Sequence, residues 1–302
     1  MSVIVTCYKD SATLGRAIES VISQSYSPIE IIVVNDCSPE TELIERCLAS
    51  YPQVRYLRNP INVGLATARN NGLALASGDL IAFLDADDEY HQHKIAMQMY
   101  ALEDNTVVTC GVINVLPGGR KVGESRRARL VSNVDSLLYR NTLNGAGLLA
   151  SKKLLLQFGG FSSGLRSCED FDLWLRLLSA GVKVKDIGLP LYLYHYNPAG
   201  LSKNYRNISK WELEVLQLHA FRVKSEWRDS QCYANMVLVW LFRHLIRSEL
   251  ANDKELWRQT CANMSLLDNF PLTRMVCLLA AYSRIMVIPA FLIRLSRNKA
   301  LF

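Results

Sequence analysis

Three acidic clusters and one arginine carry the chemistry this sequence could do. Asp85-Ala86-Asp87-Asp88 directly follows the apolar run Leu80–Leu84. Carboxylates at i and i+2 just past a strand end project into one cleft and can hold a hard divalent cation by oxygen ligands. A turn capping a helix that begins near His91 explains the same residues equally well. Asn35-Asp36 repeats the placement after Glu30–Val34. A carboxylate there accepts hydrogen bonds from a base or ribose, or caps the next helix. Glu169-Asp170 opens the amphipathic stretch Glu169–Arg176. A helix N-terminus stabilises such anions, which suits capping and also keeps a general base ionised at neutral pH. Between them, Asn62–Gly72 reads as a polar stripe on a short helix, a solvated face or one whose Arg69 reaches a diphosphate or carboxylate.

Other chemistries find no support. The sequence lacks G-x-x-x-x-G-K-[ST], G-x-G-x-x-G after a strand, H-E-x-x-H and G-x-S-x-G. His91 and His93 fall where a helix should start and read as surface residues. The five basic residues of Arg120–Arg129 read as a solvated loop.

The elements that must position these groups are legible from periodicity. Val3–Thr6, Glu30–Val34, Val54–Leu57 and Leu80–Leu84 are short, β-branched-rich apolar runs that predict buried strands. Ser11–Ser23, Glu40–Ala49 and Leu65–Ala76 space their apolar residues as helices do, and Ser38-Pro39-Glu40 predicts an N-cap followed by proline at the first helical position. Alternation of this kind means a mostly parallel sheet with helices on both faces. Ligands bind such sheets outside the carboxyl ends of the strands, where Thr6-Cys7-Tyr8, Asn35-Asp36 and Asp85–Asp88 fall. Further on, Thr106–Val115 predicts a strand, and Asp135–Arg140, Lys152–Phe158 and Phe171–Ala180 predict helices. Val182–Asp186 and Leu191–Tyr196 predict two more strands, and the chain from about Tyr205 reads as helical.

Composition bounds the class. A chain of 302 residues, half of them hydrophobic, supports a real core in one large or two ordinary domains. Eight cysteines without a C-x-x-C pair argue for a reducing compartment. No basic n-region or cleavage site marks a signal peptide at the N-terminus. Residues 203–302 carry 15 Lys/Arg against 8 Asp/Glu, so the positive excess lies in the last third. No nucleic-acid-binding motif accompanies it, so anionic lipid is the better candidate and no nucleic-acid partner is expected. Met275–Ser283 and Ile285–Ile293 are apolar but interrupted by Arg284 and Pro289, so residues 270–302 predict an in-plane helix with snorkelling arginines, or a helix packed on the protein's own core, rather than a spanning one.

Taken in order, Ser2–Tyr8, Val33-Val34-Asn35-Asp36, Asn62–Gly72, Phe83–Asp88, Gly159-Gly160-Phe161 and Glu169–Arg176 resemble the motif series of family 2 inverting glycosyltransferases, of the bacterial polysaccharide-assembly type. The resemblance covers roughly residues 1–200. It implies the GT-A fold, an α/β Rossmann-like sheet, with residues 1–204 as the transferase domain. Within it, 1–104 would form the nucleotide-sugar half and 105–204 the acceptor and base half, followed by a helical region over 205–302. By position it implies that Thr6, Tyr8, Asp36, Arg69 and Asp85 hold the nucleotide, that Asp87 binds Mn²⁺ or Mg²⁺, and that Asp170 is the catalytic base. Glu169, Asp88 and His195 are further candidates. The donor implied is a nucleotide-sugar, UDP-linked by preference, and the acceptor a glycan or lipid-linked hydroxyl. The cysteine usage and the basic, apolar tail, rather than the resemblance, set the expected place as the cytoplasm, at the inner face of the cell membrane. Thr6-Cys7-Tyr8-Lys9 and Asp36-Cys37-Ser38 depart from the family's usual residues without removing a catalytic group. A silent binding module at the membrane and a sugar-phosphate nucleotidyltransferase are the competing readings; the latter expects a Gly-rich basic loop after the first strand, which is missing.

Overall fold

The computed structural model describes residues 1–263 and 266, apart from 124, 126, 133, 138–140, 199 and 223–230. The described chain divides into two compact units, Met1–Asn133 with Leu143–Gly200, and Val134–Thr142 with the chain from Leu201 onward.

The first unit is a three-layer α/β structure. Its elements in order are β1 (Ser2–Cys7), α1 (Ser11–Ile22), β2 (Glu30–Asn35), α2 (Thr41–Leu48), β3 (Arg55–Arg58), α3 (Leu65–Leu75), β4 (Leu80–Asp85), β5 (Glu89–Tyr90) and α4 (Lys94–Ala101). Then come β6 (Thr106–Val115), β7 (Lys121–Val122), β8 (Arg129–Val131), β9 (Leu149–Ser151), α5 (Lys152–Gln157), α6 (Glu169–Ser179) and β10 (Lys183–His195). The described strands form one sheet in the order β3-β2-β1-β4-β9-β6-β10-β5, with β7 beside β6 and β8 beside β10. β1 to β4 run parallel, as do β6 and β10, while β9 lies antiparallel between β4 and β6.

The alternation of side chains along β1 sorts the layers. Val3 and Val5 join Leu14, Ala17, Ile18 and Ile44 of α1 and α2 in one core. Ile4 points the other way, against α3, where a Cβ on Gly72 would lie 2.4 Å from its Cγ2. Each fully buried aliphatic side chain here contributes about 1.5–3 kcal/mol. Register then sets the site: Thr6 pairs with Asp85, Cys7 with Asn35, and Asn35 with Arg58. The four parallel strands therefore finish level, and their carboxyl ends share one edge.

Several expectations need correction. Val54–Leu57 is not a buried strand; β3 is the sheet edge, with both arginines exposed. Ser38 does not cap α2, which starts at Thr41 after Glu40; its hydroxyl instead accepts from the backbone N–H groups of Lys9 and Glu40. No helix begins at His91, because β5 intervenes and α4 starts at Lys94. The expected helix over 135–140 is a 3₁₀ turn at Val134–Leu137 as far as it is described. The two late strands are one long β10 with an irregularity between Asp186 and Pro190, where Gly188 at φ 71° turns its N–H to Asp186 Oδ1. The basic run is not all loop: β7 and β8 extend the sheet, and Arg129 pairs with Asp186 at 3.2 Å.

The second unit is helical, with α7 (Tyr205–Arg222), α8 (Gln231–Leu250) and α9 (Lys254–Ala262). Leu213, Leu216, Val237, Trp240, Leu241 and Leu256 are buried within it. Buried Glu212 pairs with Arg243 and, at 2.9 Å, with His244. Among the described residues no helix is long and apolar enough to cross a membrane. The expected in-plane helix over 270–302 lies outside the described residues.

Candidate active site

The loop after β2 is built around Asp36. Its carboxylate is buried and takes three donors: Asn59 Nδ2 at 2.8 Å and the Val63 N–H at 2.9 Å on Oδ1, and the Gly64 N–H at 2.8 Å on Oδ2. Asp36 therefore does not cap a helix. Asn35 closes that turn, accepting from the Ser38 N–H at 2.8 Å. A carboxylate has about four lone-pair sites, so one remains for a ligand. Tyr8, at the end of β1, is 41% exposed with the Lys9 ammonium 5.4 Å from its ring centre. Gly64 lies in the left-handed region at φ 86°, and a Cβ there would meet the Arg166 guanidinium at 2.7 Å. The conformation favours glycine, whereas the contact falls on the end of an exposed side chain that can move aside.

Arg69 does not line the pocket as expected. It is 3% exposed, stacked near Phe83 and Phe161. One arm donates to Asp85 Oδ1 at 2.9 Å and the other to Glu169 Oε1 at 2.8 Å. Burial opposes its charge, and the two carboxylates more than offset that, raising its pKa. The Thr6 hydroxyl also donates to Asp85 Oδ1, at 3.2 Å. Burial pushes Glu169 above the usual carboxylate range against the pull of Arg69.

The next two residues of α3 anchor the rest of the site. Asn70 brackets Phe161, accepting from its N–H at 2.9 Å and donating to its carbonyl at 2.7 Å. Asn71 donates to Asn59 at 2.8 Å, and Asn59 in turn holds Asp36. Three consecutive side chains thus fix the ends of β4 and β2 and the start of α6. The sequence reading missed Asn59 and gave Asn70 and Asn71 no role beyond the polar stripe Asn62–Gly72. One signal was available: Ala66, Arg69, Gly72 and Leu73 fall at helical spacing on one face, and that face is buried.

Asp87 and Asp88 diverge. Asp88 is 1% exposed and turned inward, accepting from Tyr192 Oη and from the His195 N–H, each at 2.8 Å. Burial, then the charges of Asp85 and Asp87, push it up to about 8. It braces β10 and has no place on the ligand side, contrary to expectation. Asp87 borders a cleft of about 280 Å³ with Lys9, Asp10, Arg16, His195 and Asn197. Its carboxylate accepts from Asn197 at 3.2 Å, and its pKa is raised by burial and then by Asp85. Burial and the Asp87 charge push Asp10 up to about 6. The His195 ring nitrogen lies 2.6 Å from Glu89, which also pairs with Arg16 at 3.2 Å. A wider hollow of about 740 Å³ between α2 and Arg58 contains none of the predicted acids.

Among the described residues no three Asp, Glu, His or Cys side chains converge as a closed metal cage would. The mutually repelling carboxylates at this strand end are hard oxygen donors with charge to neutralise. That set fits Mg²⁺ or Mn²⁺ held by one or two carboxylates together with substrate phosphates.

Asp170 lies in the first turn of α6 with Glu169 and Asp172, where the helix dipole favours anions. Cys168 before it takes a left-handed conformation, φ 59° and ψ 23°, which turns the chain into the helix at a cost of about 1–2 kcal/mol. Asp170 Oδ1 accepts from the Phe171 N–H at 2.7 Å. Asp172 is structural, held by Ser162 at 2.6 Å and Arg176 at 2.8 Å.

Comparison with known proteins identifies the family and the fold. Residues 2–169 match the model of glycosyl transferase family 2. An uncharacterized glycosyltransferase of Haemophilus influenzae is 29% identical over 252 residues, 80% of this chain and 83% of that protein. The Escherichia coli protein WfaP, a UDP-Glc:alpha-D-GlcNAc-diphosphoundecaprenol beta-1,3-glucosyltransferase, is 28% identical over 208 residues, 68% of this chain and 80% of its own. Matches to three Rickettsia proteins span at most 31% of those longer chains. The structure of Staphylococcus aureus TarS 1–349 in complex with UDP-GlcNAc superposes with a TM-score of 0.69 at 17% identity, over 91% of this chain and 83% of that one. The fold is thus GT-A, as the resemblance implied.

Proposed function

The chain belongs to glycosyl transferase family 2 and is a glycosyltransferase, and on that premise we propose that it moves a hexosyl or N-acetylhexosaminyl group from a UDP-sugar to a hydroxyl of a lipid-linked glycan, with inversion at the anomeric carbon. The observation that carries this reading is Arg69, which joins Asp85 of the nucleotide-side strands to Glu169 beside Asp170. UDP as donor is supported by the TarS neighbours in complex with UDP-GlcNAc and with UDP, and by WfaP and WfgD, whose names specify UDP-Glc. Those two names also give a GlcNAc-diphosphoundecaprenol acceptor. The basic composition of residues 203–302 suits an anionic bilayer where such an acceptor resides.

In this mechanism Tyr8 and the remaining lone pair of Asp36 hold the nucleoside, and Asp87 faces the diphosphate. A bound Mn²⁺ or Mg²⁺ supplies Lewis-acid neutralisation of the charge that builds on the departing diphosphate. Asp170, in the first turn of α6 where the helix dipole favours an anion, accepts the proton of the acceptor hydroxyl as its oxygen attacks from the face opposite the leaving group. A positioned base of this kind contributes about 10²–10⁴-fold. Arg69 holds Glu169 and Asp85 in place and leaves Asp170 the accepting role.

Thermal unfolding with UDP, GDP or dTDP, each with and without Mn²⁺, tests the donor assignment. Ligand at about a hundredfold its Kd stabilises by about 2.7 kcal/mol. We expect a metal-dependent rise in Tm with UDP; no rise with any nucleotide contradicts the reading.

A further inference from the structure

We propose that the turn Asn144–Gly147 is a positioning device for the Asp170 carboxylate, anchored from behind by the buried pair Lys94 and Gln98; this rests on the reading of Asp170 as the base.

The contact is between a backbone and a carboxylate. A Cβ placed on Gly145 would lie 2.3 Å from Asp170 Cβ, 2.9 Å from Cγ and 2.6 Å from Oδ2. Real side chains do not approach so closely, so the Gly145 main chain forms the wall against which Oδ2 rests. Oδ1 is held on the other side by the Phe171 N–H at 2.7 Å. Gly145 does not occupy the left-handed region. Its backbone therefore suits any residue, and alanine there tests the close approach alone.

A wall is useful only if it is fixed. Asn144 O accepts from the Gly147 N–H at 3.1 Å and from Thr109 Oγ1 at 2.9 Å, and Gly145 O accepts from the Leu148 N–H at 3.3 Å. Gln98 Nε2 donates to Gly147 O at 2.7 Å and to Val108 O at 3.2 Å, fastening the turn to β6. Lys94 Nζ donates to Gln98 Oε1 at 2.8 Å, with the Tyr90 ring centre 3.9 Å away, and so sets which end of the amide faces the turn. Lys94 and Gln98 are fully buried. Burying an ammonium is costly, and here the charge orients the amide that holds the turn beside the base.

The test measures transfer, UDP affinity and Tm in the full chain. Gly145→Ala should lower kcat by about 100-fold, the effect of misplacing a reacting group by about 1 Å, with UDP affinity and donor KM unchanged. Gln98→Met combined with Lys94→Met, which leaves no buried ammonium without its acceptor, removes the anchor and should lower kcat in the same selective way, which keeps the proposal testable should Gly145→Ala fold poorly. Gly164→Ala, where an added Cβ meets nothing within 4 Å, should match wild type. Wild-type kcat in both Gly145→Ala and the Lys94→Met/Gln98→Met double variant overturns the proposal, as does parallel loss of UDP affinity and Tm in both. Asp170→Asn run alongside separates the two levels. If it transfers at the wild-type rate, the base reading itself fails; if it is inactive while both turn variants are normal, only the positioning role fails.

Discussion

Arg69 and Glu169, a hundred positions apart in the chain, are joined by a 2.8 Å ion pair with both side chains buried. With the second arm on Asp85, this contact ties the acids of two distant motifs into one site, so Arg69 acts as an internal clamp rather than a ligand contact.

Removing that clamp leaves two carboxylates facing each other without a cation. Breaking a buried pair in this way costs about 3–5 kcal/mol. Arg69→Met should therefore lower the unfolding free energy by about that amount, and Arg69→Lys by less. Urea denaturation reads it; unchanged stability in Arg69→Met would contradict the clamp.

Lys94 gives a pH signature. Burial lowers its pKa from 10.5 to about 8. Between these values the unfolded chain binds the proton and the folded one does not, so stability rises with pH across about 8 to 10.5. Below 8 the penalty is fully present, up to about 3 kcal/mol. Lys94→Met should stabilise more at pH 7 than at pH 10; chemical denaturation at both pH values checks it, and an equal effect at both would refute it.

Gly72→Ala sets helix propensity against packing. Alanine is better than glycine in a helix interior by about 1 kcal/mol. Here its methyl would lie 2.4 Å from Ile4 and 3.1 Å from Val34, and overpacking typically costs about 1–3 kcal/mol. We expect net destabilisation and a lower Tm, whereas a higher Tm would show that α3 moves freely on the sheet.

Asp87→Ala should abolish the metal dependence of UDP binding measured by calorimetry, while metal-independent binding at Asp36 persists. An unchanged response to Mn²⁺ would remove Asp87 from the metal role.

The elements were legible because each strand and helix wears its environment. Val3-Ile4-Val5 is apolar on every residue because helices cover both faces, and Leu14, Ala17, Ile18 and Val21 mark the inner stripe of α1. The acids at strand ends were legible for the same reason: register brings Thr6, Asn35 and Asp85 level. Direction was not legible. Asp87 and Asp88 are neighbours in sequence, yet one borders the cleft and the other braces Tyr192 and His195. Arg69 looked like a ligand residue because its partner Glu169 comes from an element a hundred residues later. Gly145 gave no local sign, since its constraint is steric and set by Asp170.

The most direct test is the product of transfer from a UDP-sugar to a polyprenyl-diphosphate-linked GlcNAc acceptor, with the anomeric configuration read by proton NMR for wild type and for Asp170→Asn. Single displacement with Asp170 as base predicts an inverted linkage from wild type, and no product from Asp170→Asn although it still binds UDP. A retained configuration, or transfer by Asp170→Asn at the wild-type rate, would contradict it.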